Sequence, residues 1–134
     1  MRKFLSTLSL LALSLLLLSC GKYRDAKSAM NDTAEVMEAY ADEVEAADSP
    51  KEIAAAMDRL TESFKELGPR LREMDGKHPN LNMAAPPEEL REAALALEKA
   101  NRRMMEATYE ATKDLDDPEV MKAKQRLIEA RDGL

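Results

Sequence analysis

Tyr23, Ala26, Met30, Thr33, Met37, Tyr40, Val44 and Ala47 follow one another in alternate steps of three and four. Such steps keep all of them on one stripe of a 3.6-residue helix, and that stripe has to pack against another element. A strand cannot use the pattern, because it sorts side chains by alternate residues. Ile53, Met57, Leu60, Phe64, Leu67, Leu71 and Met74 repeat the same steps. A third stripe is expected from Leu90, Ala94 or Ala93, Leu97, Asn101 or Ala100, Met104, Thr108 or Ala107, Ala111 and Leu115. A shorter fourth one consists of Val120, Ala123, Leu127 and Ala130, widened by Met121 and Ile128. Between these stripes Ala, Glu, Leu, Met, Lys and Arg dominate, all strong helix formers. The chain is expected to be all-α.

Boundary signals separate the stripes. Ser49-Pro50-Lys51-Glu52 reads as a helix start, with Ser49 as N-cap, Pro50 in the first turn and Glu52 closing a capping box. Gly68-Pro69 interrupts the second helix without breaking its stripe, so a kink is expected there. Asp75-Gly76 should end it on a left-handed glycine cap. Residues 76–87 form one long loop, and Pro86-Pro87-Glu88-Glu89 opens a third helix reaching about residue 114. Asp116-Asp117-Pro118-Glu119 starts a fourth, capped by Asp116 or Asp117; Pro118 kinking one long third helix is the alternative. Three helices of about 26 residues, each roughly 39 Å long, and a shorter fourth are thus expected. Short links after the first and third force antiparallel neighbours. The expected assembly is an antiparallel up-down-up-down four-helix bundle.

The N-terminus has a different character. Arg2 and Lys3 precede an apolar run from Phe4 to Leu18, which ends in Leu17-Leu18-Ser19-Cys20. Its fifteen residues, four of them Ser or Thr, are too few for a membrane span of roughly 20. A basic start, a short apolar run and a small residue before the cut make a secretory signal. Cys20 is the only cysteine in the chain, and a secreted domain with one unpaired thiol needs a reason for it. With cysteine directly after the cut, the segment resembles the lipobox of bacterial lipoproteins. That resemblance implies residues 1–19 as a cleaved signal peptide and residues 20–134 as a lipid-anchored domain. It also implies Cys20 as the lipidation site, carrying a diacylglyceryl thioether and often an amide-linked chain such as palmitate. Gly21, where an Asp would favour the inner membrane, implies the periplasmic face of the outer membrane of a bacterial cell envelope.

Removing residues 1–19 takes away two of the 20 basic side chains, leaving 18 against 26 acidic ones and a formal charge of −8. That balance argues against nucleic acid, which requires clustered Lys and Arg, and against lying flat on anionic lipid. The membrane partner would be engaged through the acyl chains on Cys20.

The order of helices, the Pro-Pro stretch between the second and third, and Met30 near the start of the first are similar to cytochrome b562-type four-helix bundles. That likeness implies haem held between a methionine of the first helix and a histidine of the fourth. Here the fourth helix has no histidine and His78 falls in the central loop, so the shape is expected without the haem. Met30, Met37, Met57, Met74 and Met104 fall on the stripes, where methionine fills core space. Copper held by thioethers would need a cluster such as Met83 beside His78. Zinc and di-iron sites lack a second histidine, and Glu35, Glu38, Asp42, Glu43 and Glu45 read as a solvated face. No catalytic residue, metal ligand or cofactor site is expected.

Asn101 and Thr108 interrupt a stripe of small residues. They fit a polar register device, room for an apolar ligand between the alanines, or close approach of two helices. The expected function is a membrane-anchored envelope lipoprotein whose bundle serves as a protein-interaction or structural module, with an envelope protein as partner. The loop 76–87 and Arg70, Arg72, Lys99, Arg102 and Arg103 are its expected contact surfaces, unless those arginines pair with Glu at helical spacing. The alternative is a carrier for a small apolar ligand in the bundle interior.

Overall fold

The structure, a computed structural model, describes residues 21–134; residues 1–19, expected to be a signal peptide, and Cys20, the expected lipidation site, lie outside the described residues. Four α-helices follow in order, α1 Arg24–Ala46, α2 Pro50–Lys77, α3 Arg91–Thr112 and α4 Pro118–Asp132, with a 3-10 turn Glu88–Leu90 leading into α3. No strand occurs among the described residues. The chain runs up-down-up-down through a four-helix bundle. None of these helices is long and apolar enough to cross a membrane.

Local chemistry sets the helix starts. Ser49 Oγ accepts the Glu52 N–H at 3.2 Å, while the Glu52 carboxylate takes the N–H of Asp48 at 2.7 Å rather than that of Ser49. Asp117, not Asp116, caps α4, and its Oδ1 accepts from the N–H groups of Glu119 and Val120 at 2.9 and 3.1 Å. That cap and the non-helical Asp117 backbone separate α4 from α3. Each such cap is worth about 1 kcal/mol.

Helix α2 runs through Gly68-Pro69 and ends two residues later than expected, at Lys77. No glycine among the described residues has a positive φ, so Gly76 is not a left-handed cap. The His78 N–H instead bonds to the Met74 carbonyl at 2.9 Å. Gly68 is buried where the Arg72 guanidinium crosses it, 3.2 Å from where a Cβ would stand. From there Arg72 reaches the Gly133 carbonyl at 3.0 Å, tying α2 to the end of α4.

The stripes become the core. Met30, Met37, Tyr40, Met57, Leu60, Phe64, Leu90, Met104, Val120 and Leu127 are buried. Met121 and Ile128 do not widen the fourth stripe: they are 50% and 42% exposed.

The closest-packed pairs are α1 with α3, α2 with α4, and α1 with α2. Bonds between helices give the directions. Glu43 meets Arg59 and Asp32 meets Arg70, so α1 and α2 are antiparallel. Ala26 and Met30 cluster with Leu90 and Ala93, and Tyr40 reaches Thr108, so α1 and α3 run parallel. Small side chains permit this. Ala34 and Ala41 of α1 share one buried cluster with Ala100 and Ala107 of α3, and alanine lets two backbones approach closely.

Tyr40 and Thr108 set the α1–α3 register, their oxygens 2.8 Å apart. The Thr108 hydroxyl donates to the Met104 carbonyl at 2.7 Å, so Tyr40 is the donor between the two. Burial raises the Tyr40 phenol above its ordinary pKa. Of the two polar residues in the third stripe, Thr108 therefore serves as a register device. Asn101 does not, its amide meeting only Met105 Sδ at 3.9 Å.

Candidate functional site: an open seam and groove

Three sides of the bundle are closed by tight helix pairs; the α3–α4 side is not one of them. Helix spacing follows the side chains at the contact. Where α1 and α3 face each other with alanines, α3 and α4 meet through Met104, Met105, Leu127 and Ile128, around a space of about 200 Å³. A long Lys124 side chain spans this seam to Thr112 at 3.3 Å.

Further toward the start of α3 the seam widens into a groove of about 840 Å³. Its origin is a difference in helix length. At 1.5 Å per residue, the 15 residues of α4 rise about 22 Å and the 28 of α2 about 42 Å. Below the end of α4 the bundle has no fourth helix among the described residues. The groove has Thr33 and Met37 of α1 as floor, Leu71 of α2 and Leu97 of α3 as walls, and loop residues 83–86 along one edge. Leu134 lies at its upper end, and Arg91, Glu98 and Asn101 supply polar groups.

Exposed apolar residues follow the same side. Among the described residues, the large hydrophobic side chains left exposed are Met83, Leu95, Met105, Tyr109, Met121 and Ile128. All lie on α3, α4 or the loop before α3. Single exposed apolar residues mean little, but here they are concentrated on α3, α4 and the loop before α3. Sequence reasoning missed this face because the stripe rule assigns only in-register residues. The available signal was that Leu95, Met105 and Tyr109 lie off the third stripe, whereas Met121 and Ile128 are expected from the sequence to widen the fourth.

The arginines expected to form a contact surface are engaged within the bundle. Arg70 pairs with Asp32 at 2.7 Å, Arg102 with Glu98 at 2.9 Å, and Arg72 bonds to Gly133. Arg103 bridges α3 to α1 through Glu38, Asp42 and Glu45 at 2.5, 2.5 and 3.0 Å, which raises its already high pKa. Thus Glu38, Asp42 and Glu45 form one clamp rather than a purely solvated face. Lys99 makes no ion pair within 4.0 Å among the described residues.

His78 is not an exposed loop residue. Its side chain is only 13% exposed, its ring centroid lies 5.2 Å from that of Tyr23, and Nε2 stands 3.0 Å from Asp25 Oδ1. The end of α2 is thereby fastened to the start of α1. Met83 lines the groove instead. No group of three His, Cys, Asp or Glu suited to a metal ion is found among the described residues.

The His78 hydrogen bond holds the Asp25 carboxyl below its ordinary value of 3.8. A carboxylate whose pKa is depressed by folding stabilises the fold above its unfolded pKa, and the contribution fades as pH falls through the folded value. Thermal melts of the native chain and Asp25→Asn are expected to differ above about pH 3.8 and to converge as pH falls below it. A gap that persists or widens in acid would contradict the assignment.

No family model, curated protein or solved structure matches this chain.

Proposed function

We propose that the protein is a membrane-anchored lipoprotein of the bacterial cell envelope, held by acyl chains on Cys20. Its bundle serves as a protein-interaction module through the open α3–α4 face. The observation that carries this reading is the one-sided placement of the exposed large apolar residues. The anchor reading rests on the sequence around Cys20, and a location on the periplasmic face of the outer membrane follows from it.

Photo-crosslinking in the native envelope tests the interaction surface. A photoreactive residue at Tyr109 or Met105 is expected to yield an adduct of defined mass, while the same residue at the exposed Glu35 of α1 or Lys65 of α2 yields none. Central aromatic anchors of interfaces cost 2 kcal/mol or more on truncation, so Tyr109→Ala should weaken partner binding by about 30-fold. Equal adducts from both sides, or none from α3, would remove the proposed surface.

The groove supports a second reading, a binding protein for a small apolar ligand. Its volume of about 840 Å³ falls within the 300–1,000 Å³ common for ligand sites, and a mostly apolar lining with a few polar groups is their usual makeup.

A further inference from the structure

The groove has a direction. Arg91, in the first turn of α3, lies at the end where α1 starts, and Asn101 and Leu134 lie at the other. Ten residues of helix separate Arg91 from Asn101, about 15 Å of rise. Over that length the 840 Å³ forms a continuous, mostly apolar trough along which a flexible hydrocarbon chain can lie.

Its charges are unequal. The Glu98 carboxylate is matched by Arg102 at 2.9 Å. Arg91 has no carboxylate within 4.0 Å among the described residues. The positive potential at the amino end of α3 is opposed by the neighbouring Glu88, Glu89 and Glu92, so the positive group offered to the groove itself is the Arg91 guanidinium. One unmatched guanidinium at one end of an apolar channel complements a single-headed anion with a long tail. A carboxylate accepts two parallel hydrogen bonds from one guanidinium, whereas a doubly charged phosphate monoester would call for a second cation, and no other Lys or Arg lines the groove.

We propose that this groove binds a long-chain fatty acid, with its carboxylate on Arg91 and its tail between Leu71, Leu95 and Leu97. The proposal rests on the apolar-ligand reading of the groove and adds the head group and the orientation. On the anchored reading, the Arg91 end faces the lipid, since α1 begins at Arg24 on that side. A fatty acid would enter tail first and keep its head toward the membrane surface.

The test uses the full-length protein in phosphatidylcholine vesicles with a diazirine-bearing palmitic acid and its methyl ester as probes. The acid is expected to label residues 91–101 and Leu71 about tenfold more than the ester does. Arg91→Gln, at an exposed position, should remove most of that excess and leave ester labelling unchanged. Ala94→Phe, which fills the groove, should suppress both. Equal labelling by acid and ester, indifferent to Arg91→Gln, overturns the head-group assignment while leaving an apolar-ligand site. Stronger displacement of the probe by lysophosphatidate than by palmitate overturns the choice of carboxylate. Labelling of the groove no higher than of the α1–α2 face overturns both the proposal and the apolar-ligand reading.

Discussion

Phe64→Ala is expected to lower the stability of the bundle by about 3–5 kcal/mol, the usual cost of deleting a buried phenyl ring. Phe64 is the largest fully buried side chain among the described residues. It lies in the main cluster with residues of all four helices, among them Tyr40, Met57, Met104 and Leu127. Alanine there removes the ring from water-free surroundings and opens a void that joins the space between α3 and α4. Small domains have roughly 5–15 kcal/mol in total, so about a fifth or more of the stability goes. Thermal melts should show the midpoint falling by roughly 10–20 °C. Phe64→Leu, which keeps most of the volume, should cost less than about 1.5 kcal/mol. A loss under 1 kcal/mol for alanine would mean that the ring is not packed as described.

Cys20→Ala is expected to abolish acylation, and the mature bundle should then leave the membrane. The energetics follow the number of chains. Each buried CH₂ contributes about 0.8 kcal/mol, so one myristoyl chain binds marginally and two or more hold firmly. None of the described helices is long and apolar enough to cross a membrane in their place. The mature charge of −8, from 18 basic and 26 acidic side chains, also opposes adhesion to anionic lipid. Because the substitution also blocks the specialised cut, the variant needs an ordinary secretory signal in place of residues 1–19. Fractionation should then find it soluble. Mass spectrometry of the native protein should find a mature N-terminus at Cys20 bearing acyl chains. A cleaved, unacylated chain that still sediments with membranes would show that lipidation is not the anchor.

Helices were legible in the sequence because their causes are local. The three-and-four spacing of Met30, Met37 and Val44, or of Met57, Phe64 and Leu67, states which face is buried before any partner is known. Ser49-Pro50 and Asp117-Pro118 announce helix starts because the capping oxygen and the N–H groups it accepts from lie within three residues. Where an expectation departed from the structure, a distant partner intervened. Gly76 remained helical because His78 closes the end of α2, and His78 is held by Tyr23 and Asp25 from α1. Arg70, Arg72 and Arg103 offered charge to a partner, but Asp32, Gly133 and the Glu38–Asp42–Glu45 group lie far off in sequence and close in space.

By itself the sequence determined four amphipathic helices, their starts, their buried faces and the alternation of their directions. These follow from helical periodicity, from capping bonds a few residues long and, for the reversals after the first and third helices, from short links. Tertiary structure alone decided which helices became close neighbours. Alanines drew α1 and α3 together as a parallel pair, while larger side chains held α3 and α4 apart. The apolar seam, the groove below the short α4 and the unmatched Arg91 all follow from that spacing. A stripe states how much surface a helix must bury, but only the shapes of the opposing side chains decide how closely its neighbour approaches and what space is left open.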